Sequence, residues 1–314
     1  MTTLVDVAAH IPSHRVDIAD IADELGITPL DLGVFRRFFG LREIRTARDD
    51  DLTTILLAAA RALPGLRGNE HRVRYVLGAR TVATVAPLGR NPIHDVADAL
   101  GLGHAVVLTL TQHACASGLL AIDLAGRLLA SDGEPDGLAL IITGEKASSP
   151  GTRMIEGTTV MGEGTAACLV SAAAPGDRLL AYATRTWGEY HQVPLPPELA
   201  APFGQAYTTE LAGVVAEAVA QAGLELDDLR LILPHNVNRV SWKRVCRHLG
   251  YPMDRVHLDL VPVTGHCFGA DAFINYSHAD AAGLLSDGDH YLMAAVGLGA
   301  TFSAMVFQYR EARA

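Results

Sequence analysis

A cysteine stands where an apolar strand gives way to a helix, in Thr109-Leu110-Thr111-Gln112-His113-Ala114-Cys115-Ala116-Ser117-Gly118. A thiol in the first turn of a helix sits among unpaired backbone N–H groups at the positive end of the helix dipole, which favours the thiolate. The same N–H groups can hold an oxyanion when sulfur attacks a carbonyl. Ala114, Ala116, Ser117 and Gly118 leave room for a substrate. On residue types alone, Cys115 is either a nucleophile or a small buried hydrophobe. His113 either lines the same site or is satisfied by backbone.

Two further junctions carry histidines. In Leu233-Pro234-His235-Asn236-Val237-Asn238, proline ends a strand and His235 follows at its carboxyl end, where α/β folds place their chemistry. In Thr264-Gly265-His266-Cys267-Phe268-Gly269-Ala270-Asp271, two glycines bracket His266 and permit close backbone approach. Asp271, five residues on, can orient a histidine and raise its basicity, as a carboxylate does in a Cys-His-Asp arrangement. Gly297-Leu298-Gly299-Ala300-Thr301 joins the last two strands as an oxyanion loop or an ordinary tight turn.

The elements that must hold these residues alternate. Helices are expected over 51–62, 115–130, 207–221, 240–249 and 270–285. Strands are expected over 72–80, 105–111, 138–143, 165–171, 178–186, 229–233, 256–260, 291–297 and 300–308. Alternation of this kind predicts an α/β fold with largely parallel sheets. The run Ala172 to Asp177 divides the chain into halves, 1–171 with the cysteine and 172–314 with the histidines. The Pro- and Gly-containing stretch Gln192 to Gln205 reads as a loop, over a site or merely on the surface.

The chain has 314 residues, 49% of them apolar, which is ample for a core of two units. Lys and Arg number 25 against 35 Asp and Glu, a net charge of −10 that argues against general nucleic-acid binding. No signal-like N-terminus and no run of about 18 apolar residues is evident, so a cytoplasmic protein without a membrane span is expected. Cys115, Cys168, Cys246 and Cys267 fit no metal spacing and are expected as free thiols, the last three mostly core. Trp187 and Trp242 are expected in packing roles.

Taken in order, these segments resemble the thiolase-fold condensing enzymes, specifically the ketoacyl-acyl-carrier-protein synthase III group. Phe39-Gly40-Leu41-Arg42-Glu43 is similar to the family's G-I-R-E segment, and Ala114 to Gly118 to its nucleophile motif. Gly162-Glu163-Gly164-Thr165-Ala166-Ala167 is similar to G-D-G-A-G-A, and Pro234 to Asn238 to P-H-Q-A-N. The resemblance implies a five-layered αβαβα fold of two pseudo-symmetric halves, usually a homodimer. It implies that Cys115 takes an acyl group from acyl-coenzyme A or acyl carrier protein, with no tightly bound cofactor. His235 would act on the incoming group. The amide of Cys115 and one near Leu298 and Gly299 would form the oxyanion hole, with Asn238 beside the substrate.

Two departures stand out. Where the family carries G-N-x-S, this chain has Gly265-His266, and its G-H-x-x-G-x-D pattern resembles acyltransferases of natural-product pathways. Acyl transfer from Cys115 to an oxygen or nitrogen of a small acceptor is therefore the leading expectation. Decarboxylative condensation through His235 and His266 is the alternative, and a non-catalytic partner subunit the third. The family's adenine-stacking Trp and its neighbouring Arg would fall at Val34 and Phe38. Arg36, Arg37 and Arg153 are left as phosphate contacts or solvated charges, which leaves room for a carrier-protein donor.

Overall fold

The computed structural model describes residues 2–87, 89–192 and 195–311. The first half runs β1 (Thr3–His10), β2 (His14–Asp17), α1 (Pro29–Val34), β3 (Glu43–Thr46), α2 (Leu52–Arg61), β4 (Val73–Ala79), α3 (Pro92–Ala99), β5 (Val106–Leu110) and α4 (Ser117–Asp132). It closes with β6 (Leu138–Gly144), the short pair β7 (Met154–Ile155) and β8 (Thr159–Val160), and β9 (Thr165–Ser171). The second half runs β10 (Asp177–Thr186), α5 (Pro197–Gln221), β11 (Leu229–Leu233), α6 (Arg239–Leu249), α7 (Val261–Thr264), α8 (Asp271–Ala281), β12 (His290–Gly297) and β13 (Thr301–Gln308).

The order repeats. β4 lies between β5 and β6, parallel to both, and β6 meets β9 antiparallel, which in turn meets β1. In the second half β11 runs parallel to β12, β12 meets β13 antiparallel, and β13 meets β10. Two residue pairs between β1 and β10, Thr3 with Arg178 and Leu4 with Asp177, join both halves into one sheet ordered β11-β12-β13-β10-β1-β9-β6-β4-β5.

Alternation along each strand sorts its side chains into layers. On β9, Ala166, Cys168 and Val170 join the central core, whereas Ala167 and Leu169 pack outward with α2 and α3. On β13, Met305 and Phe307 face the centre, and Phe302, Ala304 and Val306 face α5 and α6. The centre holds Leu119, Ile122 and Leu129 of α4 with Phe273, Ile274 and Ala279 of α8. The result is the thiolase-like five-layered αβαβα fold, with α4 and α8 sandwiched between the sheet halves.

The sheet is mixed rather than largely parallel as the alternation suggested: five of its eight strand pairings are antiparallel, because β1, β9, β10 and β13 join it without a helical crossover between parallel neighbours. The structure differs from the sequence reading at further places. Residues 197–205 are helical, not loop: α5 starts at Pro197 and carries Pro202 inside it. Its Phe203, Tyr207 and Leu211 recur at the i, i+4 spacing of one face and pack against the second half. Val193 and Pro194, in the same stretch, lie outside the described residues. The strand expected over 256–260 is reduced to one parallel bridge, Ile232 with Val256, because the chain turns at Leu258 into α7.

α4 and α8 approach at glycines. A Cβ on Gly118 would lie 2.7 Å from Phe273 and 3.3 Å from the Gly269 carbonyl; one on Gly269 would lie 3.3 Å from the Cys115 carbonyl. Gly118→Ala is therefore expected to cost about 1–3 kcal/mol through overpacking. Denaturant unfolding of the variant should show it as a lower midpoint with an unchanged slope.

Candidate active site

The helix crossing brings together what the sequence separates. Cys115 lies in a 3-10 turn, Ala114–Ala116, leading into α4, and is 3% exposed. The residue before it, Ala114, has φ +45, a left-handed conformation that alanine rarely adopts. His266 lies in the corresponding junction before α8, where Phe268 has φ +54. Nucleophile and histidine thus lie at corresponding junctions of the two halves, Cys115 within its turn and His266 two residues before the other.

Asp271 fixes the histidine. Its Oδ2 lies 2.5 Å from His266 Nδ1 and also accepts a hydrogen bond from the Asn236 backbone N–H at 2.5 Å. Its Oδ1 accepts from the Cys267 N–H at 2.7 Å. Both His266 and Asp271 are 1% exposed. With Nδ1 on the carboxylate, the other ring nitrogen of His266 is left free, and Cys115 lies near enough to bear on the ring's pKa. Burial works to lower the His266 pKa, but the Asp271 charge and hydrogen bond, helped by Cys115, raise it to about 10.

Glycines hold the His266 backbone in place. His266 N–H donates to the Val160 carbonyl at 3.0 Å, and Gly162 N–H donates to the His266 carbonyl at 2.9 Å. A Cβ on Gly162 would fall 1.9 Å from the Thr264 carbonyl, and one on Gly164 would fall 2.9 Å from Cys267 Sγ. Glu163 between them accepts from Ala47 N–H at 2.7 Å and Ala147 N–H at 3.0 Å. The Gly162-Glu163-Gly164 run is therefore a bracket under the histidine loop.

His235 is 1% exposed, with its ring centroid 6.4 Å from that of His266. Its Nε2 is 2.5 Å from the hydroxyl of Tyr207 on α5. Burial and the neighbouring His266 push its pKa down to about 3, so the ring is neutral. Asn275 steadies this loop by donating to the Pro234 carbonyl at 2.7 Å and to Asn236 Oδ1 at 2.9 Å.

The remaining sequence candidates separate. The Gly297–Gly299 turn packs on the nucleophile junction: a Cβ on Gly297 would lie 1.9 Å from the His113 carbonyl. Leu298 and Gly299 (φ +130) follow directly. The Asn238 side chain, expected beside the substrate, has partners within the protein. Its Oδ1 caps α6 by accepting from Ser241 N–H at 2.8 Å, and its Nδ2 donates to the Thr158 carbonyl at 3.2 Å. Arg36 is ion-paired with Asp17, and Arg153 with Glu24. Both expected phosphate contacts thus already have a carboxylate partner. Arg37 is exposed on the turn Phe35–Phe39. Arg153 does line a cleft of about 370 Å³ with Arg48, Lys146 and Met161. Met161 packs in turn against Cys115 and Phe268.

Three participants were not found by sequence reasoning. Thr81 donates its hydroxyl to Cys115 Sγ at 3.2 Å. Glu145, 1% exposed, accepts from the backbone N–H groups of Thr81 and Val82 and so sets that threonine. Tyr207 is the third, and the aromatic spacing Phe203–Tyr207 was the available signal. Of the other cysteines, Cys168 and Cys267 are buried with their thiols pushed up by burial. The Cys246 thiol is pushed up to about 11 for the same reason.

A family model described as 3-oxoacyl-[acyl-carrier-protein (ACP)] synthase III C terminal matches residues 219–309. The chain is 26% identical to the β-ketoacyl-[acyl-carrier-protein] synthase III of Rhizorhabdus wittichii, over 98% of each chain. It is 28% identical to the 3-oxopimeloyl-[acyl-carrier-protein] synthase of Rhodothermus marinus, over 98% of this chain and 93% of that one. Among solved structures, ChlB3, an acyltransferase, superposes with a TM-score of 0.86 at 21% identity over 98% of each chain. The 3-oxoacyl-[acyl-carrier-protein] synthase III of Aquifex aeolicus gives 0.82 at 20% identity, over 98% of this chain and 100% of that one.

The His266–Asp271 pair predicts a pH signature. The folded pKa of His266, about 10, lies above the ordinary 6.5 of an unfolded histidine. Its contribution to stability is therefore full below about pH 6.5 and lost as pH rises through about 10. Asp271→Asn should flatten that alkaline loss of the thermal midpoint and slow Cys115 alkylation near neutral pH.

Proposed function

We propose that this chain, a thiolase-fold enzyme of the ketoacyl-acyl-carrier-protein synthase III-like family, transfers an acyl group through Cys115 to an oxygen or nitrogen of a small acceptor. The observation that carries the reading is the Asp271 carboxylate on His266 Nδ1. It turns His266 into a proton-accepting group at the nucleophile. A histidine kept basic suits deprotonation of Cys115 and then of an acceptor hydroxyl or amine.

In the first half-reaction, Cys115 Sγ attacks the donor thioester carbonyl and its proton goes to His266. The tetrahedral intermediate collapses and the donor carbon–sulfur bond breaks. The leaving thiol takes the proton from His266. In the second half, the acceptor attacks the acyl carbon on Cys115 while His266 removes the acceptor proton. The bond to Sγ breaks, and the proton returns to Cys115. The 370 Å³ cleft beside Met161 has Arg48 and Lys146 on its walls, with Arg153 held there by Glu24, a setting suited to the phosphates of acyl-coenzyme A or a carrier protein's phosphopantetheine. ChlB3, the acyltransferase with the similar fold, is consistent with this chemistry. We place the reaction in natural-product acylation in the cytoplasm, where four free buried thiols remain reduced.

A homodimer is part of the reading. β5 ends the nine-stranded sheet and presents Val106, 53% exposed, and Leu108, 36% exposed. An apolar open edge of this kind invites a second strand. Val106→Lys with Leu108→Lys should yield a monomer by light scattering.

Intact-protein mass spectrometry tests the function. Acyl-coenzyme A or acyl carrier protein should add one acyl mass to the parent and none to Cys115→Ala. A panel of alcohols and amines should then discharge the adduct. Loss of carbon dioxide from malonyl thioesters, with a β-keto product, would instead establish condensation.

A further inference from the structure

The long helix α5 delivers a tyrosine to the second histidine, and that contact bears on which reaction the site performs. Tyr207 Oη and His235 Nε2 are 2.5 Å apart. The tyrosine ring is held edge-on by Phe203, Phe302 and His235 itself, with centroids 5.9, 5.9 and 6.3 Å away. Tyr207 is partly exposed, whereas His235 behind it is 1% exposed. The hydroxyl therefore covers the Nε2 edge of His235.

A neutral imidazole carries one hydrogen. His235 Nδ1 has no hydrogen-bond partner among the described residues, so the tyrosine contact at Nε2 is the one that engages the ring. With the hydrogen on Nδ1, Nε2 accepts from the tyrosine hydroxyl; with it on Nε2, that N–H is spent on the tyrosine oxygen. In either tautomer His235 has no free Nε2–H to offer to a substrate.

Decarboxylative condensation needs such an N–H. The bond between the malonyl methylene and its carboxylate breaks and carbon dioxide leaves. The electron pair moves onto the thioester oxygen as an enolate. The enolate carbon then attacks the acyl carbon on Cys115, and the carbon–sulfur bond breaks to release the thiolate. The enolate oxygen must be met by hydrogen-bond donors. His266 Nδ1 is committed to Asp271 and His235 Nε2 to Tyr207, so once Cys115 is acylated only one of the two histidines, His266, can turn a free ring nitrogen to the enolate oxygen.

We infer that Tyr207 is a positioning residue that withholds His235 from the substrate and so selects acyl transfer over condensation. This rests on the acyl-transfer reading above. Removing the hydroxyl uncovers Nε2, and the ring can shift its hydrogen there.

The test compares Tyr207→Phe with the parent for carbon dioxide release from malonyl-coenzyme A, alongside Cys115 acylation and transfer to the alcohols and amines. The expected result is acylation of both proteins and carbon dioxide release raised about tenfold or more in Tyr207→Phe. The gain should vanish in Tyr207→Phe with His235→Ala. A merely structural role would not create a reaction. Equal release by the acylated variant and the parent overturns the inference while leaving parental acyl transfer standing. So does a gain that survives His235→Ala, or loss of Cys115 acylation in Tyr207→Phe. A parent that releases carbon dioxide and transfers to no alcohol or amine overturns both readings.

Discussion

The Asp271 carboxylate is the constraint from which the site follows. Three donors converge on it: the His266 ring, the Cys267 amide and the Asn236 amide. The first two belong to the loop before α8, and the third to the loop after β11 that bears His235. One side chain thus sets the orientation of one histidine and the path of the backbone carrying the other. It lies in the first turn of α8, where the helix dipole favours a negative charge. Breaking a buried arrangement of this kind by removing one partner leaves the others unsatisfied, so its members are not independent.

The second constraint is closeness. Cys115 and His266 belong to different halves and meet because α4 and α8 cross where Gly118 and Gly269 carry no Cβ. The bracket beneath His266 has the same requirement, since Gly162 and Gly164 leave no room for a side chain. The duplicated layout explains this geometry. Each half presents a strand-to-helix junction to the central layer, one furnished with a thiol and the other with a histidine. Equivalent strained residues, Ala114 and Phe268, occur at both.

What distinguishes this chain enters from outside that duplicated frame. α5 begins earlier than its sequence suggests and places Tyr207 over His235. Thr81 reaches Cys115 from beyond the end of β4, held in place by Glu145 at the end of β6. The chemistry is therefore a common pair of junctions modified by neighbours contributed by other elements. A change at any of these neighbours alters proton placement without altering the nucleophile.

The alternation of apolar strands and helices was enough to read the α/β architecture, because side-chain period is a local property of the chain. The junction residues Cys115, His235, His266 and Asp271 were legible for the same reason: each sits at a recognisable change of period or beside glycine. Local signals misled where neighbours overrode them. Pro202 suggested a loop, but the apolar face of Phe203, Tyr207 and Leu211 packs on the second half and carries the helix through it. Asn238, beside His235 in sequence, also caps α6, which the sequence motif does not disclose. Arg36 and Arg153 looked available until Asp17 and Glu24, distant in sequence, were seen to pair with them. Sequence by itself determined which residue types stand at which junctions. Only the tertiary structure decided which atoms share a hydrogen bond, because Asp271 with Asn236, and Tyr207 with His235, meet across separate elements whose packing no local pattern encodes.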